Sequence, residues 1–173
     1  QDLRERCQAG SEKARVDHLR ETKQAWELQI GGRFLMRAFS IEETGAALTR
    51  LAEFVLEEIA RQTREQLLRK YPRPVKENGE EAAFGILGLE RLGGRELSFQ
   101  SPLQLVFVYE DPKEYSDEAI TAADFFGEWA QGILRALNES SPSGTLYEAD
   151  AHPCPRGRGS RMALPFSAFE TYC

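Results

Sequence analysis

Apolar residues recur at helical spacing through the first seventy positions of the chain. Val16, Leu19, Trp26 and Ile30 fall near one face, with Lys, Arg, Glu and Gln filling most of the rest, the pattern of an amphipathic helix. Gly31-Gly32 predicts a kink or break, after which Phe34, Leu35, Met36 and Phe39 form a dense apolar patch. Ser40-Ile41-Glu42-Glu43 fits a capping box, with the Ser40 hydroxyl satisfying backbone donors and Glu43 reaching back. A second helix is then predicted to about Lys70, with Leu48, Leu51, Val55 and Ile59 on its stripe. Gly45 inside it costs roughly 1 kcal/mol against alanine, so packing or a bend must compensate. Tyr71-Pro72-Arg73-Pro74 stops the helix, because proline disfavours it at its own position and just before. The expectation for this half is a helical hairpin covering one side of a sheet.

Past the polar linker Lys76-Glu77-Asn78-Gly79-Glu80 the period changes. Residues 82–89 and 103–109 are short runs rich in Ile, Leu, Val and Phe, as in strands of a covered sheet. A helix fits 117–137, with Ile120, Phe125, Trp129, Ile133 and Leu137 roughly in one stripe. The Ser140–Gly144 stretch turns the chain into a third strand over 145–150, and Pro153, Pro155, Gly157 and Gly159 make the next segment irregular. Residues 166–172 either start another helix or simply end the chain. Two units follow: a helical segment over 1–75 and a sheet-bearing core over 76–173. The three strands should be neighbours in one sheet, with Asp150 close to residues 102–104.

Composition changes this picture little. The 173 residues suffice for one buried core or one domain with a helical extension. Hydrophobic residues at 41% and charged residues at 29% are ordinary for a soluble globular protein. A net charge of −6 argues against non-specific binding to nucleic acid or to an anionic membrane. No apolar stretch approaches the ~20 residues needed to cross a bilayer, and polar Gln1-Asp2-Leu3-Arg4 begins no signal peptide. Cys7, Cys154 and Cys173 share no metal-ligand spacing, and three free thiols fit a reducing cytoplasm. Zinc would need more ligands than these cysteines with His18 and His152 supply.

The chemistry-bearing stretch runs Gly88-Leu89-Glu90-Arg91-Leu92-Gly93-Gly94-Arg95-Glu96-Leu97, then Ser101-Pro102-Leu103-Gln104 into the second strand. This strand, glycine turn, strand layout resembles the polymerase-beta-like nucleotidyltransferases. With Asp124-Phe125-Phe126, Trp129-Ala130-Gln131, Ser143–Asp150 and Ala168-Phe169-Glu170-Thr171-Tyr172, it is similar to the bacterial glutamine-synthetase adenylyltransferases. The resemblance covers most of the chain from about Arg15 onward, but only one, incomplete, of that family's two catalytic-type domains. It implies an α+β fold: a nucleotidyltransferase-type mixed sheet packed by helices, with an N-terminal helical segment and a core truncated at its C-terminus. It further implies AMP transfer between ATP and a tyrosine of glutamine synthetase, or phosphorolytic removal of that AMP. Mg2+ and ATP would be the ligands, and glutamine synthetase and a PII-type nitrogen signal protein the partners. Residues 143–150 lean toward the adenylylating domain.

Nucleotidyl transfer uses two metal ions clamping the attacking and leaving oxygens, and magnesium takes hard oxygen ligands, usually carboxylates with phosphate and water. The family places two aspartates two residues apart on a strand, so that both project to one face, and a third carboxylate on a neighbouring strand. Here Pro102 and Gln104 occupy the positions of the lost aspartates, and Asp150 is the surviving carboxylate and the one metal candidate. Glu90 stands where the family has Gly, and Gln100 where Gly or Ser is usual. His152 and Cys154 fall where two family arginines would face phosphate. Gly93, Gly94, Ser101, Arg156 and Arg158 are the nucleotide-binding candidates, the last two as partial substitutes for those arginines. Unit charges 4 Å apart near a surface interact by roughly 4 kcal/mol. Losing two attractions and adding the Glu90 repulsion therefore removes many factors of ten in binding or rate. The expectation is a degenerate adenylyltransferase domain, or else a pseudoenzyme that binds or regulates.

Each candidate also has a plain structural reading. Gly93 and Gly94 can serve a tight turn alone, Glu96 can be a hydrogen-bond partner, and Asp150 can cap a turn or pair with arginine. His152 has no recognisable nucleophile beside it, and an isolated Cys154 is usually inert.

Overall fold

A computed structural model describes residues 12–112, 116–117, 120–142, 144–151 and 162–170. The first helix, α1 (Glu12–Leu35), runs unbroken through Gly31-Gly32, so the helix does not break there. The second, α2 (Ile41–Leu67), begins at the expected capping box: the Glu43 amide donates to the Ser40 hydroxyl at 3.2 Å. In return the Ser40 amide donates to the Glu43 carboxylate at 2.8 Å, and such a cap contributes about 1 kcal/mol. Gly45 is compensated by packing, because a Cβ there would lie 3.3 Å from the Cα of Glu96. The loop leading away from the glycine segment rests directly on α2.

The sheet of the described residues is mixed. Strand β1 (Phe84–Gly88) pairs antiparallel with β2 (Leu103–Tyr109). On the other edge of β2, β5 (Ala149–Ala151) and β6 (Ala163–Pro165) pair parallel, one beside Leu103–Leu105 and the other beside Phe107–Tyr109. The bounds of β2 are those expected. The third expected strand is shorter than 145–150, because the Tyr147 amide bonds to the Leu137 carbonyl at 3.1 Å instead of joining the ladder.

Helix α4 (Ala122–Asn138) also starts later than expected. Asp117 and Ile120 lie in a separate hairpin, β3 (Ser116–Asp117) with β4 (Ile120–Thr121). The Thr121 hydroxyl caps the helix by accepting from the Asp124 amide at 3.2 Å. Its stripe of Phe125, Trp129, Ile133 and Leu137 is buried as read from the period. The Glu90–Gly93 segment forms a single helical turn, α3, at the expected glycine turn, and Phe166–Glu170 is helical (α5).

One core joins helices and sheet. Phe84 of β1 stacks on Trp129 with ring centroids 4.2 Å apart, and Tyr109 on Phe126 at 4.5 Å. The Trp129 indole N–H donates to the Ala60 carbonyl of α2 at 2.9 Å, which satisfies the one polar atom of a large buried ring. No helix of the described residues is long and apolar enough to cross a membrane.

Candidate functional site

Alternation along β2 divides its side chains between two faces. Leu103, Leu105, Phe107 and Tyr109 belong to the core cluster shared with the helices. Gln104, Val106 and Val108 therefore project from the opposite face, and Pro102 follows the same parity one residue before the strand. In the parallel pairing with β5, Gln104 is the register partner of Asp150, which puts their Cα atoms about 4.8 Å apart. The fold thus brings the three positions of the expected carboxylate set to one face and one end of the sheet.

Asn138 holds that edge, a residue the sequence reading passed over. Its side-chain amide donates to the Ala149 carbonyl at 2.8 Å and its oxygen accepts from the Ala149 amide at 3.1 Å, acting on β5 like a neighbouring strand. The Leu103 amide donates to the Glu148 carbonyl at 2.8 Å. Asp150 is thereby fixed from both sides of its strand. A polar residue at the C-terminal end of a helix, eleven positions before a strand, was the only signal in sequence.

The donors at this face are few. Pro102 is exposed and offers no ligand atom, Asp150 is an exposed carboxylate, and the Gln104 side-chain oxygen is buried without a hydrogen-bond partner. One carboxylate and one neutral amide oxygen are a smaller donor set than the three carboxylates that the resemblance implies. No group of three His, Cys, Asp or Glu suited to a metal exists among the described residues.

The glycine segment lies against the same strand end, tied by the Leu89 amide donating to the Gln104 carbonyl at 2.9 Å. Gly93 sits so close to the preceding strand that a Cβ would meet the Gly88 carbonyl oxygen at 2.6 Å. Gly94 caps α3 with ordinary right-handed backbone at φ −76°. Glu90, Arg95 and Gln100 adopt φ of 50°, 58° and 62°, the left-handed region that favours glycine. Glycine, which the resemblance implies at 90, would suit this backbone, and the Glu90 and Gln100 side chains present there are strained.

Ser101 is buried. Its hydroxyl accepts from the Ser98 amide at 3.0 Å and lies 2.8 Å from the Ser98 hydroxyl, which in turn accepts from Arg91 at 3.0 Å. These bonds brace the loop entering β2 and leave Ser101 turned inward. Glu96 is exposed. Arg156, Arg158, His152 and Cys154 lie outside the described residues.

A family model described as glutamate-ammonia ligase adenylyltransferase matches residues 1–173. A bifunctional glutamine synthetase adenylyltransferase/adenylyl-removing enzyme of Alteromonas mediterranea is 30% identical over 160 residues, 91% of this chain and 16% of that protein. The protein of the same description from Mannheimia haemolytica is 28% identical over 176 residues, covering 99% of this chain and 18% of the relative. The chain therefore spans less than a fifth of the length of these relatives.

Proposed function

The chain belongs to the glutamate-ammonia ligase adenylyltransferase family, and from that premise we propose that it is a degenerate adenylyltransferase domain acting in binding or regulation. The supporting observation is the pairing of Gln104 with Asp150 in the strand register, with Pro102 just before them. The scaffold that presents three carboxylates is kept and two of the three donors are gone. Glutamine synthetase, whose modification the relatives' names describe, is the partner this reading implies, with a PII-type signal protein as the second. The setting is the cytoplasm. Pro102, Gln104 and Asp150 mark the old metal face, and Gly93, Gly94 and Ser101 the remnant of a nucleotide loop.

A second reading is favoured by one observation: Asp150 persists, exposed, beside a side-chain oxygen of Gln104 that has no partner. In that reading the domain retains weak adenylylation or its reversal. When bound, magnesium would neutralise phosphate charge; the described residues supply it with one formal charge only.

Calorimetric titration with magnesium-ATP separates the two. The parent is expected to show no saturable heat, and Pro102→Asp with Gln104→Asp to gain it by restoring two carboxylates to one strand face. Adding Glu90→Gly should strengthen that gain by removing a negative charge beside the phosphate path. Saturable binding by the parent that disappears in Asp150→Ala, together with AMP transfer by the parent that the same variant loses, would favour the weak enzyme instead.

A further inference from the structure

We propose that the groove between α1 and α2 receives an acidic amphipathic helix of a partner protein. The groove has a volume of about 280 Å³ and is lined by Trp26, Ile30 and Arg33 of α1, Phe39 of the connecting turn, and Arg50 and Phe54 of α2. Trp26 lies on the helix stripe read as core, yet it is 44% exposed. Trp and Arg together, around an apolar floor, form the composition that concentrates binding energy at interfaces once covered.

Charge identifies the sign of the occupant. Arg33 has no carboxylate at helical spacing on either side, and its guanidinium lies 5.2 Å over the Phe39 ring. Arg50 has Glu53 one turn on, but Glu53 is paired with Arg95 at 3.3 Å. Nearby Glu27 is taken by Lys23 at 2.8 Å and Glu43 by the Ser40 amide at 2.8 Å. Among the described residues, Arg33 and Arg50 thus flank an apolar groove without a carboxylate partner, in a chain whose acidic residues number 28 against 22 basic.

Backbone hydrogen bonding identifies its shape. Both walls are helices whose own N–H and C=O groups are satisfied, so an extended peptide buried there would leave its backbone unpaired. A helix carries its own bonds into the groove. Apolar residues at i, i+3 or i+4 and i+7 would seat between the ridges of α1 and α2, and flanking carboxylates would reach Arg33 and Arg50.

The test uses two designed peptides that differ only in charge, one with Leu at i, i+4 and i+7 flanked by Glu, the other with Lys for every Glu. Binding to the chain is read by calorimetry and by the part of the tryptophan emission that Trp26→Phe removes, since Trp129 also emits. The acidic peptide is expected to bind at least tenfold tighter than the basic one, to blue-shift that emission, and to weaken with salt. Arg33→Gln with Arg50→Gln should lose that preference, and Arg33→Glu with Arg50→Glu should reverse it. Both sites are exposed, so the variants should fold, which circular dichroism checks. Absence of binding by either peptide at millimolar concentration, equal binding of both, or binding unaffected by the arginine variants would overturn the proposal. So would sedimentation showing that the chain alone dimerises and that Trp26→Ala abolishes the dimer, because the occupant would then be a second copy.

Discussion

Replacing Gly93 with alanine tests whether this glycine serves the fold or a phosphate. The added Cβ would stand 2.6 Å from the Gly88 carbonyl oxygen, whereas carbon–oxygen approaches between strands begin near about 3.3 Å. Roughly 0.7 Å must therefore be opened against backbone, with no flexible side chain to yield. Gly88 is the last residue of β1 and the register partner of Leu105, and the next amide, that of Leu89, bonds to the Gln104 carbonyl at 2.9 Å. Displacing it strains that bond, worth about 1 kcal/mol, and adds an overpacking cost of about 1–3 kcal/mol. The expected loss is about 2 kcal/mol, or roughly 4–8 °C in melting temperature for a chain of this size. Gly94→Ala is the control: its Cβ would lie 3.3 Å from the Glu90 carbonyl oxygen, and its φ is ordinary, so a change within about 0.5 kcal/mol is expected. Urea denaturation followed by far-ultraviolet circular dichroism measures both. A Gly93→Ala protein as stable as the parent, or two variants shifted equally, would refute the close-approach reasoning. A glycine kept only for phosphate would leave stability unmoved.

Three further outcomes are expected. Glu90→Gly and Gln100→Gly should each stabilise by roughly 0.5–1 kcal/mol, since left-handed backbone costs a side chain about 1–2 kcal/mol and glycine returns part of that as unfolded-state entropy; unchanged denaturation midpoints would contradict the positive φ. Asn138→Ala should cost about 1–2 kcal/mol, because both backbone groups of Ala149 lose a partner, and hydrogen exchange at Ala149 and Asp150 should accelerate; full protection there would show that β5 does not need the clamp. Burial first, and the charge of Glu27 second, raise the Tyr147 hydroxyl above its ordinary value of 10.0. Its neutral form is thus fully favourable below pH 10, and stability falls above it, by about 1.4 kcal/mol per pH unit, as the unfolded chain loses a proton that the folded one keeps. Tyr147→Phe should flatten that alkaline decline, and parallel pH–stability curves would rule it out.

Elements whose signals are local and contiguous were legible in the sequence. The capping box at Ser40–Glu43, the bounds of β2 and the stripe of α4 each depend on residues within a few positions of one another. The same holds for the parity that puts residues 102 and 104 on one face, since a period of two is a property of the strand itself. The neighbourhood of Asp150 and Gln104 followed from ordering three apolar runs into one sheet.

Other features depended on what packs where. Trp26 sits on the same stripe as Ile30, yet no third layer of the described residues covers it over the α1–α2 groove, and it stays 44% exposed. Residues 145–148 read as strand, yet the Leu137 carbonyl takes the Tyr147 amide and leaves a three-residue ladder. Glu90 and Gln100 carry side chains that prefer right-handed or extended backbone, and closure of the glycine segment on β2 forces both across. Periodicity records which side of an element is apolar. The covering of that side, the local backbone that closure demands and the hydrogen-bond partner that wins are set by distant residues, whose contacts exist only once the chain has folded.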